Sequence, residues 1–471
     1  MKKIILATTV LLLLFSINGC QKDDLEVPEE LIINDFVWKG MNLYYLWQAD
    51  VPNLADNRFG NQDELNGFLS NYSDPATLFN SLRVDSSIDR FSVIYSDYSI
   101  LEGILSGNTT DNGMDYGLKY KTGSTTDLFG WVRYILPNSD AATKNIQRGN
   151  IFYAINGTPL TASNYKTLLA NTTYTVNLAD YDNGNITPNG QSISLTKTAL
   201  TENPVFTTNV VVQGTRKIGY LMYNGFFTGF ESQLNTAFSQ LQAQGITHLV
   251  LDLRYNSGGS VATATRLASM ITGQFNGQIF AQQQWNAKLQ ANLNQSNPSS
   301  LFNYFTTTIG NGNAINSLNL NKVYILTSKS TASASELVIN GLKPHIQVVQ
   351  IGDKTTGKNV GSVTLYDSPS FTNQNRNPNH KYAMQPLVLK IANSVGFSDY
   401  QTGLVADFPF IEDYGNLGVI GDPTEPLFAQ ALTVISNGGR IANQNNVKRF
   451  EHFSDLKSME PLRSEMYVDL K

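Results

Sequence analysis

Cysteine is almost absent from this chain: Cys20 is the single one in 471 residues. One cysteine cannot close an intramolecular disulfide, so the fold is held by its core alone. Histidine is scarce too, with four residues, and their spacing fits no metal-ligating pattern. His248, His345 and His380 read as loop or surface residues, and no metal or other cofactor is expected. Charged residues are only 15% of the chain and sum to −5, which lacks the basic face a nucleic-acid partner requires. No internal repeat of fixed period and no extended low-complexity run is present. What remains is 41% hydrophobic residues, the composition of a folded chain, at a length that predicts two or three domains.

The N-terminus is the first positive signal. Lys2 and Lys3 precede an apolar run, Ile4–Ile17, too short to span a membrane comfortably, and small residues follow. This pattern predicts a secretory signal peptide over residues 1–19. Its end, "INGC", resembles a lipobox, which implies that Cys20 is the lipidated first residue of the mature protein. The expected location is the cell envelope, with the lipid in the outer membrane and the chain facing the periplasm or the surface. "QKDDLEVPEE" then reads as an acidic tether through residue 30, or as a surface-export tag.

Texture divides the remainder. Residues 31–105 place apolar side chains at near-helical spacing (Ile33, Phe36, Val37, Met41, Tyr44, Trp47), and Asp74–Pro75 supplies an N-cap and a first helical position. This predicts a small helical domain. Residues 106–200 change to short strands punctuated by Gly, Asn and Pro. Within them Tyr134–Leu160, "YILPNSDAATKNIQRGNIFYAINGTPL", resembles the second half of a PDZ domain, with Asn150 where the family pattern has aspartate. The resemblance implies a β-rich domain that binds peptide tails by strand addition. Tyr116, Gly117 and Leu118 are its candidate carboxylate-binding loop; a plain hairpin without ligand fits the same three residues. Residues 205–435 alternate strands and helices: "THLVLDLRYNSGGS" runs from a strand into a Gly-Gly turn, and "KVYILTS", "SELVINGL" and "IQVVQIG" read as strand, helix and strand. That order predicts an α/β core with parallel strands. Residues 436–471, Asn-rich and then mixed in charge, have no assignable role.

The chemistry centres on "STASASEL", Ser330–Leu337. A serine between a strand and a helix start stands over a sheet edge beside unpaired N–H groups, which suits a nucleophile with an oxyanion hole. Ser333-Ala-Ser-Glu336 equally fits a capping box, which needs no chemistry. Lys358 lies 25 positions after Ser333, in the loop "GDKTTGKNVGS". A βαβ crossover brings that loop beside the serine turn. A desolvated lysine there is a candidate base, whereas Lys354, next to Asp353, reads as a solvated charge.

Taken in order, "DRFS" (Asp89–Ser92), "LDLRYNSGG" (Leu251–Gly259), "STASASEL", "TTGKN", "GLVADFPF" and "GDPTEPLFAQAL" resemble the carboxyl-terminal processing peptidases, or tail-specific proteases, across most of the chain from about residue 30 to 435. The resemblance implies a crotonase/Clp-protease-like α/β core and a serine endopeptidase with a Ser–Lys dyad. Ser333 would be the nucleophile and Lys358 the general base. Ala334, Gly258 and Gly259 would supply oxyanion N–H groups. The expected partners are protein or peptide substrates recognised near their C-termini, together with a membrane through the lipid on Cys20. Two departures stand out. Ser362 occupies the place of a glutamine that orients the dyad, and Asn359 follows the lysine where glycine is usual. The competing readings are a catalytically inactive envelope lipoprotein that binds peptide tails, and an envelope scaffold.

Overall fold

A computed structural model describes residues 27–438 and 447–470. The expected signal peptide, most of the tether and Cys20 lie outside the described residues. Helices α1 (Ile32–Tyr44), α2 (Gln62–Leu69) and α3 (Pro75–Ser81) form the lead-in, followed by β1 (Val93–Tyr95) and α4 (Tyr98–Leu105). Their starts are set by side-chain caps: Asn61, Asp74 and Asp97 each accept N–H groups of the following turn, and Pro75 takes the first helical position.

The second region is β-rich. It comprises β2 (Asn108–Asp111), β3 (Met114–Tyr120), β4 (Leu128–Ile135), β5 (Ile151–Ile155), β6 (Thr158–Pro159), α5 (Tyr165–Ala170), β7 (Thr173–Asp182), β8 (Asn185–Thr196) and β9 (Thr198–Thr201). An antiparallel sheet runs β3-β4-β5-β7-β8. Along β3 the side chains of Met114, Tyr116 and Leu118 enter one core with Val132, Phe152 and Leu178, alternating with Asp115, Gly117 and Lys119 on a second face that is also buried. Between them Gly117 lies beneath the Trp131 ring, which a Cβ would meet at 2.0 Å.

The third region carries β10 (Val205–Gln213), β11 (Arg216–Tyr223), α6 (Glu231–Ala243), β12 (His248–Asp252), β13 (Gly259–Ser260), α7 (Val261–Thr272), β14 (Ile279–Trp285), α8 (Ala287–Ser296), β15 (Phe302–Tyr304), β16 (Lys322–Thr327), α9 (Ala334–Leu342), β17 (Gln347–Gly352), β18 (Val360–Ser362), β19 (Leu365–Tyr366), β20 (Ala383–Gln385), β21 (Leu387–Asn393), β22 (Phe408–Pro409) and α10 (Pro426–Asn437). Its main sheet runs β10-β11-β12-β16-β17-β22 and is parallel from β11 onward. Both faces are covered, so β12 is apolar on both sides. Leu249 and Leu251 pack with α6, α7 and α9, and Val250 packs with α10. Because β16 and β17 are parallel neighbours, the turns that follow them open at the same edge of the sheet.

Residues 447–470, within the segment without an expected role, cross two regions. They form β23 (His452–Asp455), α11 (Leu456–Met459) and β24 (Met466–Tyr467). β23 adds to β3 on the β-rich sheet. β24 lies between β13 and β18 in a second sheet, β13-β24-β18-β21-β14-β15.

Candidate active site

The chain leaves β16 at Thr327 and turns before α9 begins at Ala334. Ser333 is the residue at the corner. Its φ of 63° and ψ of −118° lie where a side chain with a Cβ is strained. Three groups hold it there. Ala332 N–H donates to the Asn256 carbonyl at 3.1 Å. Thr331 Oγ1 donates to the Leu253 carbonyl at 2.8 Å. Ser333 N–H donates to Glu336 Oε2 at 2.8 Å. The chain has the geometry of a capping box, but only that half is a close contact: the Ser333 hydroxyl is buried and has no hydrogen-bond partner among the described residues. A cap would use its hydroxyl; this one is left over.

Glu336 is the residue whose reach the sequence did not reveal. One carboxylate oxygen takes Thr355 Oγ1 and Gly357 N–H at 2.5 and 2.7 Å, and the other takes Lys358 N–H and Ser333 N–H, each at 2.8 Å. A buried carboxylate that accepts four donors binds the backbone of the serine turn to the backbone of the lysine loop. Burial raises its pKa, and those hydrogen bonds oppose the rise.

The Gly-Gly turn completes the wall. Asn256 Oδ1 accepts Gly258 N–H at 2.9 Å, and Asn256 Nδ2 donates to the Tyr223 carbonyl. Gly258 must lack a side chain, because a Cβ there would stand 2.6 Å from Ser333 Cβ. Of the three candidate oxyanion residues, Gly258 therefore has its N–H committed to Asn256. Gly259 sits in β13, paired with Met466 of β24. Ala334 is the first helical residue, whose N–H has no partner within the helix.

Lys358 is fully buried, and its ammonium does not reach Ser333. Nζ contacts Glu465 Oε1 at 2.9 Å, donates to the Ser464 carbonyl at 3.0 Å, and lies 3.9 Å from the centre of the Phe91 ring. Phe91 belongs to "DRFS", where buried Asp89 accepts Tyr45 Oη, Arg83 Nε and the N–H groups of Phe91 and Ser92. Burial pushes the Lys358 amine below its usual pKa and the Glu465 carboxyl above its own, and their mutual attraction opposes both shifts. Ser362, expected to orient the lysine, hydrogen-bonds Glu465 Oε2 at 2.9 Å and accepts from Gln385 Nε2 at 3.0 Å. It meets the amine only through Glu465. The histidines take no part: His380 contacts Asp367, and His345 contacts the Ile279 carbonyl.

Tyr116, Gly117 and Leu118 are in the middle of β3, not in a loop. They pair with β4 on one side, and Gly117 and Leu118 pair with Asp455 and Ser454 of β23 on the other. Their backbone serves a sheet ladder, and the two larger side chains serve the core, so no nest of convergent N–H groups forms there. Among the described residues, the contribution of 447–470 to this site had no sequence signal. β23 is four residues long, and no periodicity marks the rest.

Residues 217–370 match peptidase family S41, and residues 32–93 match the peptidase S41 N-terminal domain. A carboxyl-terminal-processing protease of Picosynechococcus is 25% identical over 54% of this chain and 53% of its own. A chloroplastic C-terminal processing peptidase of Tetradesmus obliquus is 27% identical over 36% of this chain and 35% of its own. The aligned part of this chain thus spans about half or less of these curated relatives. The crystal structure of a Bacteroides fragilis chain described as an S41 protease superposes with a TM-score of 0.64 at 26% identity, over 86% of this chain and 98% of that one.

Proposed function

We propose that the chain is a serine endopeptidase of family S41, whose models match residues 32–93 and 217–370, in which Ser333 is the nucleophile and Lys358 the general base. The neutral amine of Lys358 takes the Ser333 proton as Oγ bonds to the scissile carbonyl carbon. Ala334 N–H, at the positive end of α9, faces the developing oxyanion. Collapse breaks the C–N bond, and Lys358 returns the proton to the leaving amine. Water then attacks the ester with the same lysine as base. The observation that carries this reading is the Glu336 carboxylate, which joins the backbones of Ser333 and Lys358 while leaving the serine hydroxyl without a partner. A structural cap would have no use for a strained, unpartnered serine beside a buried lysine.

The substrates in this reading are unfolded proteins or peptides entering near their C-termini. The β-rich, PDZ-like domain would admit them along the β3 edge that β23 covers. The protein is anchored in the cell envelope by a lipid on Cys20, which metabolic palmitate labelling of the parent and of Cys20→Ala tests directly. For the chemistry, the parent, Ser333→Ala and Lys358→Ala are incubated with an unfolded protein. Cleavage by the parent and loss of it in both variants is the expected result, with a fall of about 10⁴-fold or more for Ser333→Ala. Retention of C-terminal peptides without cleavage by any form would instead identify a binding lipoprotein.

A further inference from the structure

We propose that residues 447–470 are a displaceable internal inhibitor, which fills the strand-addition edge of the β-rich domain at one end and takes the Lys358 amine away from Ser333 at the other. The inference rests on the Ser333–Lys358 reading and adds what holds that pair apart.

The first end is seated as an added peptide strand would be. β23 runs antiparallel to β3, with His452 opposite Lys119, Ser454 opposite Leu118 and Asp455 opposite Gly117. Tyr120 N–H donates to the Glu451 carbonyl at 3.2 Å. The Phe453 ring enters the gap between that strand and helix α5, 4.9 Å from Tyr165 and 5.1 Å from Tyr120. A strand on a sheet edge with an aromatic anchor against the flanking helix is how extended peptides are bound by such an edge.

The second end lies on the reacting groups. After α11 the chain turns past Ser257, whose hydroxyl donates to the Arg463 carbonyl. The Ser464 carbonyl and the Glu465 carboxylate then engage Lys358 Nζ. The Glu465 carbonyl oxygen and Ser333 Oγ stand 3.0 and 2.9 Å from the same point, the place a Cβ on Gly258 would occupy. β24 continues between β13 and β18, with Met466 opposite Gly259 and Tyr467 opposite both Ser260 and Ser362. The tail is thus threaded past the serine as a substrate strand would be, with the Glu465–Met466 peptide at the turn.

The tail stays intact there because of Glu465. Facing Lys358 at 2.9 Å, its carboxyl group occupies the amine lone pair in either proton arrangement. An ammonium has no lone pair, and an amine accepting from a carboxylic acid has spent it. Once the tail lifts, the amine keeps Phe91 and loses Glu465, its nearest carboxylate, which shifts the balance towards the neutral base. The fasteners in between suit a reversible clasp. Asp455 contacts Arg133 and Ser330, Lys457 donates to the Asn224 carbonyl, and Arg463 contacts Glu202. Buried charge pairs cost desolvation to form, so they fix the register without making docking strongly favourable, and both partners regain water on release.

The test uses the full chain in detergent and reads cleavage of an unfolded protein alongside labelling of the active serine by a fluorophosphonate. Compared are the parent, Glu465→Ala, and a chain ending at Phe450, which keeps that ring on Phe129. Both readouts are expected to rise about tenfold or more in each altered form as the competent fraction grows. A synthetic peptide of residues 451–470 added to the shortened chain should suppress both, and the same peptide with alanine in place of glutamate should suppress them less. Equal activity and labelling in the parent and Glu465→Ala would overturn the proposal. So would loss of cleavage in a well-folded Glu465→Ala chain, which would make Glu465 a positioning residue for the base. If no form cleaves or labels while the labelled peptide still binds the shortened chain, the Ser333–Lys358 reading itself has failed, and the inhibitor role with it.

Discussion

Two turns meet at Gly258, and they are held by opposite means. The turn bearing Ser333 is fixed through its own main-chain N–H groups, which donate to partners inside the sheet-and-helix frame: Ala332 N–H to the Asn256 carbonyl and Ser333 N–H to the Glu336 carboxylate, with Asn256 Oδ1 holding the neighbouring Gly258 N–H. The turn bearing Glu465 is fixed by charged side chains, with Arg463 on Glu202 and Asp111, and Glu465 on Lys358 and Ser362. Main-chain bonds inside a sheet-and-helix frame come apart only when the frame does. Ion pairs between a strap and a cleft come apart together when the strap leaves, and only Leu456, Leu462 and Met466 leave the buried clusters with it. One half of the site is therefore permanent and the other removable, and the two should respond differently to substitution.

The largest effect is expected at the permanent half. Glu336→Ala strands four donors in a buried place and unties Ser333 from Lys358. Unfolding free energy should fall by about 3 kcal/mol or more. Activity of a tail-shortened form should fall by about 100-fold or more, since both reacting groups lose their placement. Chemical denaturation and turnover check this. A Glu336→Ala chain with unchanged midpoint and unchanged turnover would show that the serine turn is not held as described. Ser333→Ala serves as the control within the same turn. Its hydroxyl bonds nothing, so the denaturation midpoint should not move while activity disappears.

A smaller and local effect is expected at the removable half. Asp455→Ala takes a carboxylate from Ser330 and Arg133, and leaves Arg133 with Asp115 at 3.6 Å. Docking of the tail should weaken by about 1–3 kcal/mol. Trypsin should then nick residues 447–470 sooner, with the midpoint of the main transition little changed. Equal shifts in nicking and in global stability would erase the distinction between the two turns.

The same contrast explains what could be read in the sequence. The strands and helices of the parallel core are legible because their burial is periodic or continuous along short stretches. β12 carries Leu249, Val250 and Leu251 to two cores, and α3 announces itself with Asp74 and Pro75. Ser333 and Lys358 are legible because the crossover that joins them is local and its motifs are short. Glu465 and Asp455 are illegible because their partners lie far along the chain, 107 residues from Glu465 to Lys358 and 322 from Asp455 to Arg133, and no pattern within four or five residues encodes such a contact. The doubt over Ser362 has the same origin, since its partner Glu465 comes from the tail and is not the lysine near it in sequence. The loop expected at Tyr116–Leu118 rests on the place of that segment in the PDZ resemblance, and no local pattern separates a binding loop from a strand there. The Trp131 ring lying over Gly117 is the tertiary reason that glycine sits in a strand.

The smallest effect is a pH dependence, and it acts on the strap alone. His452 of β23 faces Lys119 on β3, Arg133 on β4 and Lys329 in the serine turn, with Asp455 on its own segment and with Asp353 and Glu412 lining the same cavity. Burial and these cations, Lys119 first among them, push its pKa down from 6.5 to about 4, against a partial pull from Asp455. A histidine whose pKa is lower docked than free binds its proton more readily when free. Docking is therefore at full strength above about pH 6.5 and weakens progressively as the pH falls towards 4. Lowering the pH from 7 to 5 should raise nicking of residues 447–470, corrected for the protease's own pH profile, and lower the protection factors of β23 amides, whereas protection in β12 should stay fixed. In His452→Gln the dependence should flatten, because glutamine carries no proton to take up. A parent tail that docks equally at both pH values, or a His452→Gln tail that still loosens on acidification, would move the titrating group elsewhere in the clasp.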